Sequence, residues 1–340
     1  MKKLMISFIA IFAIIAIGLV LVLIYAISQG SNGFSFEQSN ASLVNTQNIS
    51  LDEITSINIS YQSDDIIFYT SDTDEIILKE YMNFTPDKNE LASITTSGSE
   101  ITIEGRRQNF QIFEFGMFTR NCRAELYLPA EYSNKLTVTT SSGNIDSDLT
   151  FTLSEFAATS SSGDIKMNEV NAASINATTS SGNITVQVAE GKRQFSSTSG
   201  DIKILGGHGD SNSTSSSGNI TIENASGYIE ADSSSGNIKI NNSLGGGNLK
   251  TSSGNIKLEL TDVTDNIDIK ASSGDVSVML PSTTSFDFTS ETSSGDIRTF
   301  FDEKLSYNKK GNEASGSIGD NPDLSIHINT SSGNISINKE

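Results

Sequence analysis

Ser216 to Ile256 reads SSGNITIENASGYIEADSSSGNIKINNSLGGGNLKTSSGNI. The tetrad Ser-Gly-Asn-Ile occurs three times in it, with Gly218, Gly236 and Gly254 each 18 residues apart. Extended along the chain, the pattern Ser-Gly-[Asn/Asp/Ser]-[Ile/Val] recurs eleven times, with glycines at Gly143, Gly163, Gly182, Gly200, Gly218, Gly236, Gly254, Gly274, Gly295, Gly316 and Gly333. The intervals run from 17 to 21 residues. A period this short and regular predicts stacked coils, each too small to bury a core alone.

With each tetrad glycine as position zero, position +2 is Ile or Val in every copy, from Ile145 and Ile165 to Ile335. Position +4 is mostly apolar (Met167, Val186, Ile204, Ile222), and +3 between them is polar (Lys166, Thr185, Lys203, Thr221). That alternation predicts a strand with one face inward. Positions −7 and −5, such as Ile175/Ala177 and Ile229/Ala231, predict a second strand. The expectation is therefore an all-β, single-stranded parallel β-solenoid, right-handed, with two short strands and two turns per coil of about 18 residues. The glycines are expected to take φ > 0 at a corner. The preceding serines, Ser142 to Ser332, are expected to bond between coils, and Asn or Asp after the glycine suits the same turn. Gly143, Gly163, Gly182, Gly200, Gly218, Gly236, Gly254, Gly274, Gly295 and Gly333 form the predicted structural turn ladder.

The 340 residues carry a formal net charge of −19, so no basic nucleic-acid footprint exists. The lone Cys122 excludes an internal disulfide framework. Leu4 to Ile27 holds no charge and is preceded by Lys2 and Lys3. It reads as an uncleaved transmembrane anchor with a cytoplasmic N-terminus, placing the rest outside the cytoplasm at the cell membrane. Residues 28–33 read as a tether. Residues 34–135 form an irregular β-rich start and cap of the solenoid, with Ser97-Gly98-Ser99 resembling a decayed tetrad, and 136–340 form the regular repeat.

The TxxSGNI repeats, for example Thr140 to Ile145 and Thr251 to Ile256, resemble those of the bacterial "putative adhesin" domain family of unknown biochemical function. So do the ELYLP strand leading into Lys135–Ile145 and the apolar Leu4–Ile27 ahead of a β-rich segment. That family includes LiaG-type membrane-anchored proteins of envelope-stress operons, and the resemblance covers about residues 50–340. It implies an extracytoplasmic β-solenoid acting in adhesion or envelope stress, and it supplies no catalytic residue.

The candidate chemistry is sparse. Asp164, Asp201, Asp275 and Asp296 offer one carboxylate per coil, too few to converge on calcium. Gly206 to Asp210 is similar to a calcium-binding nonapeptide but occurs once. Asp146 and Asp148 share a strand face, while His208 and His327 stand far apart. No catalytic residue, metal site or cofactor is expected, although three or more carboxylates in one groove would favour a glycan-processing enzyme. Rows such as Thr140, Thr179, Thr251, Thr292 and Thr330 are candidates for a flat hydroxyl array facing a glycan or ice. Phe110, Phe113, Phe115 and Phe118 crowd one short stretch, which either closes the core or touches a membrane or partner. The C-terminus is expected to end in the last coil, with Lys339 and Glu340 blunting its edge, and the segment Phe300–Leu324 to bulge from the stack. The reading that follows is a non-catalytic adhesin-like module meeting a cell-surface glycan or an envelope protein. The alternative is an accessory of a stress response that contacts membrane partners.

Overall fold

The strand Ile165–Thr179 shows how a coil is built. It pairs in parallel with Ile145–Ser160 on one side and Ile184–Ser197 on the other. Ile165 lies opposite both Ile145 and Ile184, so the sequence period is the stacking offset. The computed structural model describes residues 41–105 and 121–339. Among these, all regular structure is β except two short 3-10 turns, Lys88–Glu90 and Asp302–Lys304.

The central coils have three strand segments rather than the two expected. The register slips between Met167 and Glu169 and between Asn171 and Ser174, dividing the long strand in three. In the coil after Gly200 the segments are separate strands: Ile202–Ile204, Gly207–His208 and Ser211–Ser215. The extra segment buries small residues, such as Ala172, Ala189 and Ala225. Small side chains leave a weak alternation, so the sequence period does not reveal it.

Inward columns carry the stability. Ile145, Ile165, Ile184, Ile202, Ile220, Ile238 and Ile256 are all buried and stack coil upon coil. Each such side chain contributes about 1.5–3 kcal/mol by burial. Parallel ladders to both neighbours satisfy the backbone groups of every interior coil. One core column changes character midway: Ile175, then Arg193, then Ser211, then Ile229 are neighbours in register. Arg193 is 1 % exposed, and its guanidinium donates to the carbonyls of Gly209, Ala189 and Ser226, reaching up through the coils above its own. Burial pulls its pKa down, while Glu190 and Asp210 push the other way.

Both ends abandon the order of the sequence. Ser325–Ser332 pairs in parallel with Ile256–Ser273 on one side and with Phe286–Ser294 on the other. Likewise Ile335–Lys339 lies between Val276–Leu280 and Ile297–Thr299. The C-terminal coil is thus inserted between the two coils that precede it in sequence. This corrects the expectation of an exposed final edge at Lys339. The outermost coil is closed instead by the antiparallel strand Glu313–Ile318 against Phe286–Ser294, with Ser306–Tyr307 beyond it. Phe286, Phe288 and Phe301 plug the coil end in edge-to-face pairs with centroids 5.4–6.5 Å apart. Gly316 therefore sits in an antiparallel cap strand and marks no coil corner.

The other end mirrors this. Ser56–Ser60 is inserted between Glu100–Glu104 and Lys135–Thr140, and Asp65–Ser71 between Cys122–Pro129 and Ile145–Ser160. Antiparallel strands close the outside: Ser93–Ser97 on Glu100–Glu104, then Glu75–Met82 on Cys122–Pro129 and Ser42–Ser50 on Glu75–Met82. Gly98, with φ 60°, lies between Ser93–Ser97 and Glu100–Glu104, so the Ser97-Gly98-Ser99 sequence is a hairpin turn and not a decayed corner.

Candidate functional site: a polar groove along one corner

At five successive corners, Gly163 to Gly236, the buried hydroxyl three residues before the glycine does two jobs. Ser215 Oγ accepts from the Gly218 amide at 2.9 Å and donates to the Gly200 carbonyl, one coil away, at 3.2 Å. Ser160, Thr179, Ser197 and Ser233 repeat both bonds. Thr140, Thr179, Thr251, Thr292 and Thr330 all occupy this place and are at most 2 % exposed. They are corner braces, which overturns their reading as an outward hydroxyl array. The serines just before the glycines, Ser142 to Ser332, expected to bond between coils, are exposed, and the hydroxyls three residues before the glycines make those bonds instead.

The tetrad glycines answer a different demand from the one expected. Apart from Gly274, at a nearly extended 158°, none has positive φ. A Cβ built at Gly163, Gly182, Gly200, Gly218, Gly236, Gly254, Gly274 or Gly333 would lie 1.9–2.2 Å from the carbonyl oxygen of the tetrad glycine in the coil below. Gly295 meets Gly333 O at 2.0 Å, and Gly143 meets Asp64 O at 1.9 Å. Close backbone approach is the requirement. Positive φ belongs to a second column that the sequence reading passed over, Gly191, Gly209, Gly227 and Gly245, at 112–141° and 18 residues apart. Its signal was the same interval, masked by the Gly-rich runs around it.

Outside the glycine, the +1 residues form a side-chain ladder. The Asn183 amide donates to Asp164 Oδ1 at 2.7 Å, Asp201 to Asn183 Oδ1 at 2.9 Å, Asn219 to Asp201 Oδ1 at 2.7 Å and Asn237 to Asn219 Oδ1 at 3.0 Å. Beside this ladder runs the outward +3 row. Asn144, Asp164, Asn183 and Asp201 together with Asp146, Lys166, Thr185 and Lys203 line an open groove of about 380 Å³. The core makes no claim on these side chains: the +1 residues hold the ladder through Oδ1, and the +3 side chains lie beside it.

The groove brings Asp146, Asp164 and Asp201 together, the three-carboxylate condition set by the sequence. Two of them are committed as ladder acceptors for backbone amides. Asp146 differs: its pKa is raised by burial first, then by Asp65, Asp164 and Asp148, with Lys166 opposing. The remaining candidates disperse. His208 Nδ1 sits 3.0 Å from Glu190, and Asp210 Oδ1 accepts the Tyr228 amide. His327 Nδ1 meets Thr289 Oγ1 at 2.8 Å, at the C-terminal cap. Among the described residues, no group of three or more His, Cys, Asp or Glu is placed to hold a metal ion. Nor is any helix long and apolar enough to cross a membrane. Leu4–Ile27 and the cluster Phe110, Phe113, Phe115 and Phe118 lie outside the described residues.

Comparison with known proteins follows the repeat. The family model described as Toastrack DUF4097 matches residues 54–241 and again 226–338. No curated protein matches the sequence. Among solved structures, a "putative adhesin" from Parabacteroides distasonis is similar at 12 % identity and TM-score 0.43, covering 88 % of this chain and 98 % of that one. A "putative adhesin" from Bacteroides fragilis is similar at 13 % identity and TM-score 0.37, over 87 % and 97 %. A "putative cell adhesion protein" from Clostridium sporogenes is similar at 10 % identity and TM-score 0.27, over 88 % and 100 %.

Proposed function

The chain belongs to the Toastrack DUF4097 family, and from that premise we propose a non-catalytic, adhesin-like interaction module built as a β-solenoid on the outside of a bacterial cell. In this reading Leu4–Ile27 serves as the membrane anchor and residues 28–33 as the tether. One observation carries this reading. Glycine, the −3 hydroxyl and the +2 aliphatic are consumed by the scaffold, whereas the +1 and +3 rows are aligned, outward and open along a groove. A repeated polar row on a rigid support is suited to a repetitive partner.

The test is co-sedimentation of the full-length chain with isolated cell envelopes stripped of protein. Saturable binding that survives deletion of residues 109–118 is expected. In a parallel pull-down from native membranes, recovery of membrane proteins that is lost on that deletion, with no binding to the stripped envelopes, would replace the reading with the regulatory accessory. A second reading rests on Asp146, a half-buried carboxylate held above its ordinary range next to Asp164. Such a pair is the equipment of a glycan-cleaving acid. Release of reducing sugar from envelope glycan, abolished in Asp146→Asn, would establish it. No release by the native chain would leave the binding module.

A further inference from the structure

The outward rows that line the groove, followed two coils beyond Lys203, carry a period twice that of the fold. In stacking order the +3 residues are Lys166, Thr185, Lys203, Thr221 and Lys239, each in register with the next. The +1 residues of the same coils are Asp164, Asn183, Asp201, Asn219 and Asn237. Coils offering Asp-Ile-Lys thus alternate with coils offering Asn-Ile-Thr over four coils; Asn237-Ile238-Lys239 keeps the lysine with Asn in place of Asp, and Lys257, next in register, ends the alternation. Successive coils rise about 4.8 Å, so the lysines recur every roughly 9.6 Å. Nothing in the scaffold requires this alternation. The inward Ile between each pair is identical in all five coils, and the corner bonds repeat at every coil.

The three lysines are free to bind. Lys166, Lys203 and Lys239 are exposed, and none has an ion pair among the described residues. By contrast, Lys250, on the same coil as Lys239, and Lys257 and Lys270, on the next, each lie within 4 Å of a carboxylate. On a chain of net charge −19, a spaced row of unpaired ammonium groups is a local exception. Asp164 and Asp201 use Oδ1 within the ladder, which leaves Oδ2 to accept hydroxyl protons. The intervening Asn and Thr offer neutral amide and hydroxyl groups.

We propose that this groove binds a linear polysaccharide, laid along the stack axis, whose disaccharide repeat alternates a carboxylate-bearing sugar with a neutral acetamido sugar. Each lysine takes one carboxylate, each aspartate a hydroxyl of the same sugar, and each Asn/Thr coil faces the neutral sugar. An extended disaccharide repeats on a length similar to two coils. The ligand and the scaffold therefore stay in phase over several units, and weak contacts add through multivalency. This inference rests on the binding-module reading and names its ligand class.

The test is calorimetric titration of the full-length chain with three probes of matched length. These are hyaluronan fragments, in which glucuronate alternates with N-acetylglucosamine, polygalacturonate, with a carboxylate on every sugar, and chitin oligomers, with none. Hyaluronan fragments should bind at least about tenfold more tightly than either of the others, the size of one charge-assisted contact. Two variants at outward positions separate phase from charge. Lys166→Thr/Lys203→Thr/Lys239→Thr removes the row. Lys203→Thr/Thr221→Lys keeps the net charge but breaks the two-coil spacing. Both should lose about tenfold or more for hyaluronan while keeping the native thermal transition. Equal affinity for all three probes, or native affinity in the charge-conserving swap, overturns the proposal. Native envelope co-sedimentation by that swap, together with native hyaluronan affinity, would sink the ligand assignment alone. Failure of the native chain on envelopes would sink the wider reading.

Discussion

Between Gly143 and Gly274 the chain stacks each coil on the one before it, whereas at both ends it stacks out of order. The middle grows as the sequence dictates: Ile145, Ile165, Ile184 and their successors meet in chain order. At the C-terminal end, Ser325–Ser332 slips between Ile256–Ser273 and Phe286–Ser294. At the N-terminal end, Ser56–Ser60 slips between Glu100–Glu104 and Lys135–Thr140. A parallel stack with identical repeats has no intrinsic stop, because each terminal coil presents an open edge to another chain. Here the outermost strands are antiparallel hairpin partners that break the repeat, and the inserted coil locks the cap to the stack from both sides. The middle is therefore scaffold by repetition, and the ends are closed by exception.

Truncation should produce the largest effect and is the sharpest way to break this contrast. In a sequential stack, removing residues 325–340 would expose one new edge and leave the preceding coil intact. In the observed order it strips the parallel partner from Phe286–Ser294 and from Ile297–Thr299, while Val276–Leu280 loses its outer neighbour. Hydrogen exchange of the truncated chain should show loss of protection throughout residues 286–318, with residues 145–260 unchanged. Retained protection at 286–299 would mean that the inserted coil does not hold the cap.

Glycine-to-alanine exchange compares the two regions residue by residue. At Gly218 a Cβ would fall 2.0 Å from the Gly200 carbonyl oxygen, so two coils must separate locally. Gly218→Ala should cost about 3 kcal/mol or more, the upper range of overpacking. At Gly98, in the end hairpin, a Cβ meets nothing within 4 Å. Only the φ of 60° is unfavourable, and Gly98→Ala should cost about 1–2 kcal/mol. Denaturant unfolding of both variants checks the ranking, and equal costs would remove close approach as the reason for the tetrad glycine.

The sequence showed the middle and concealed the ends for one physical reason. Stacking in register forces the same residue type into the same place, so Ile145, Ile165 and Ile184 announce both the strand and its inward face. Out-of-order insertion leaves no such trace. Ile326 and Ile328 obey the same −7 and −5 pattern as Ile267 and Ile269, whichever neighbours they take. The third strand segment escaped because Ala172, Gly207 and Ala225 carry little contrast. The groove was legible as a polar +3 row, but its two-coil phase depends on Lys166, Thr185 and Lys203 being neighbours, which only the register establishes.

Within the middle, the corner hydroxyls offer a finer comparison. Ser215 and Ser217 are two residues apart and chemically identical. Ser215 is 5 % exposed and bonds Gly218 N and Gly200 O. Its replacement by Ala leaves both groups unpaired at a buried corner and should cost about 1–3 kcal/mol. Ser217 is exposed, and its replacement by Ala should stay within about 0.5 kcal/mol. Similar costs at the two sites would mean that the inter-coil bond contributes nothing net.

The smallest expected effect lies where the two regions meet. Asp146 is the +3 residue of the first regular coil, paired in register with Ile67 of the inserted coil and with Lys166 of the next. Burial and Asp65 on the irregular side raise its pKa, while Lys166 on the regular side lowers it, so the seam determines its titration. Because the folded value lies above the unfolded one, the native state binds the proton more tightly. The ionised carboxylate therefore destabilises the fold, increasingly as pH rises from the ordinary carboxylate range through the raised value, and the penalty is absent below that range. Asp146→Asn should accordingly raise the thermal midpoint slightly at pH 7, and the gain should vanish in acid. Adding Asp65→Asn should shrink the gain, since the main charged partner is then gone. A gain independent of pH would show that Asp146 acts through its hydrogen bonding or shape, and that the seam is electrostatically silent.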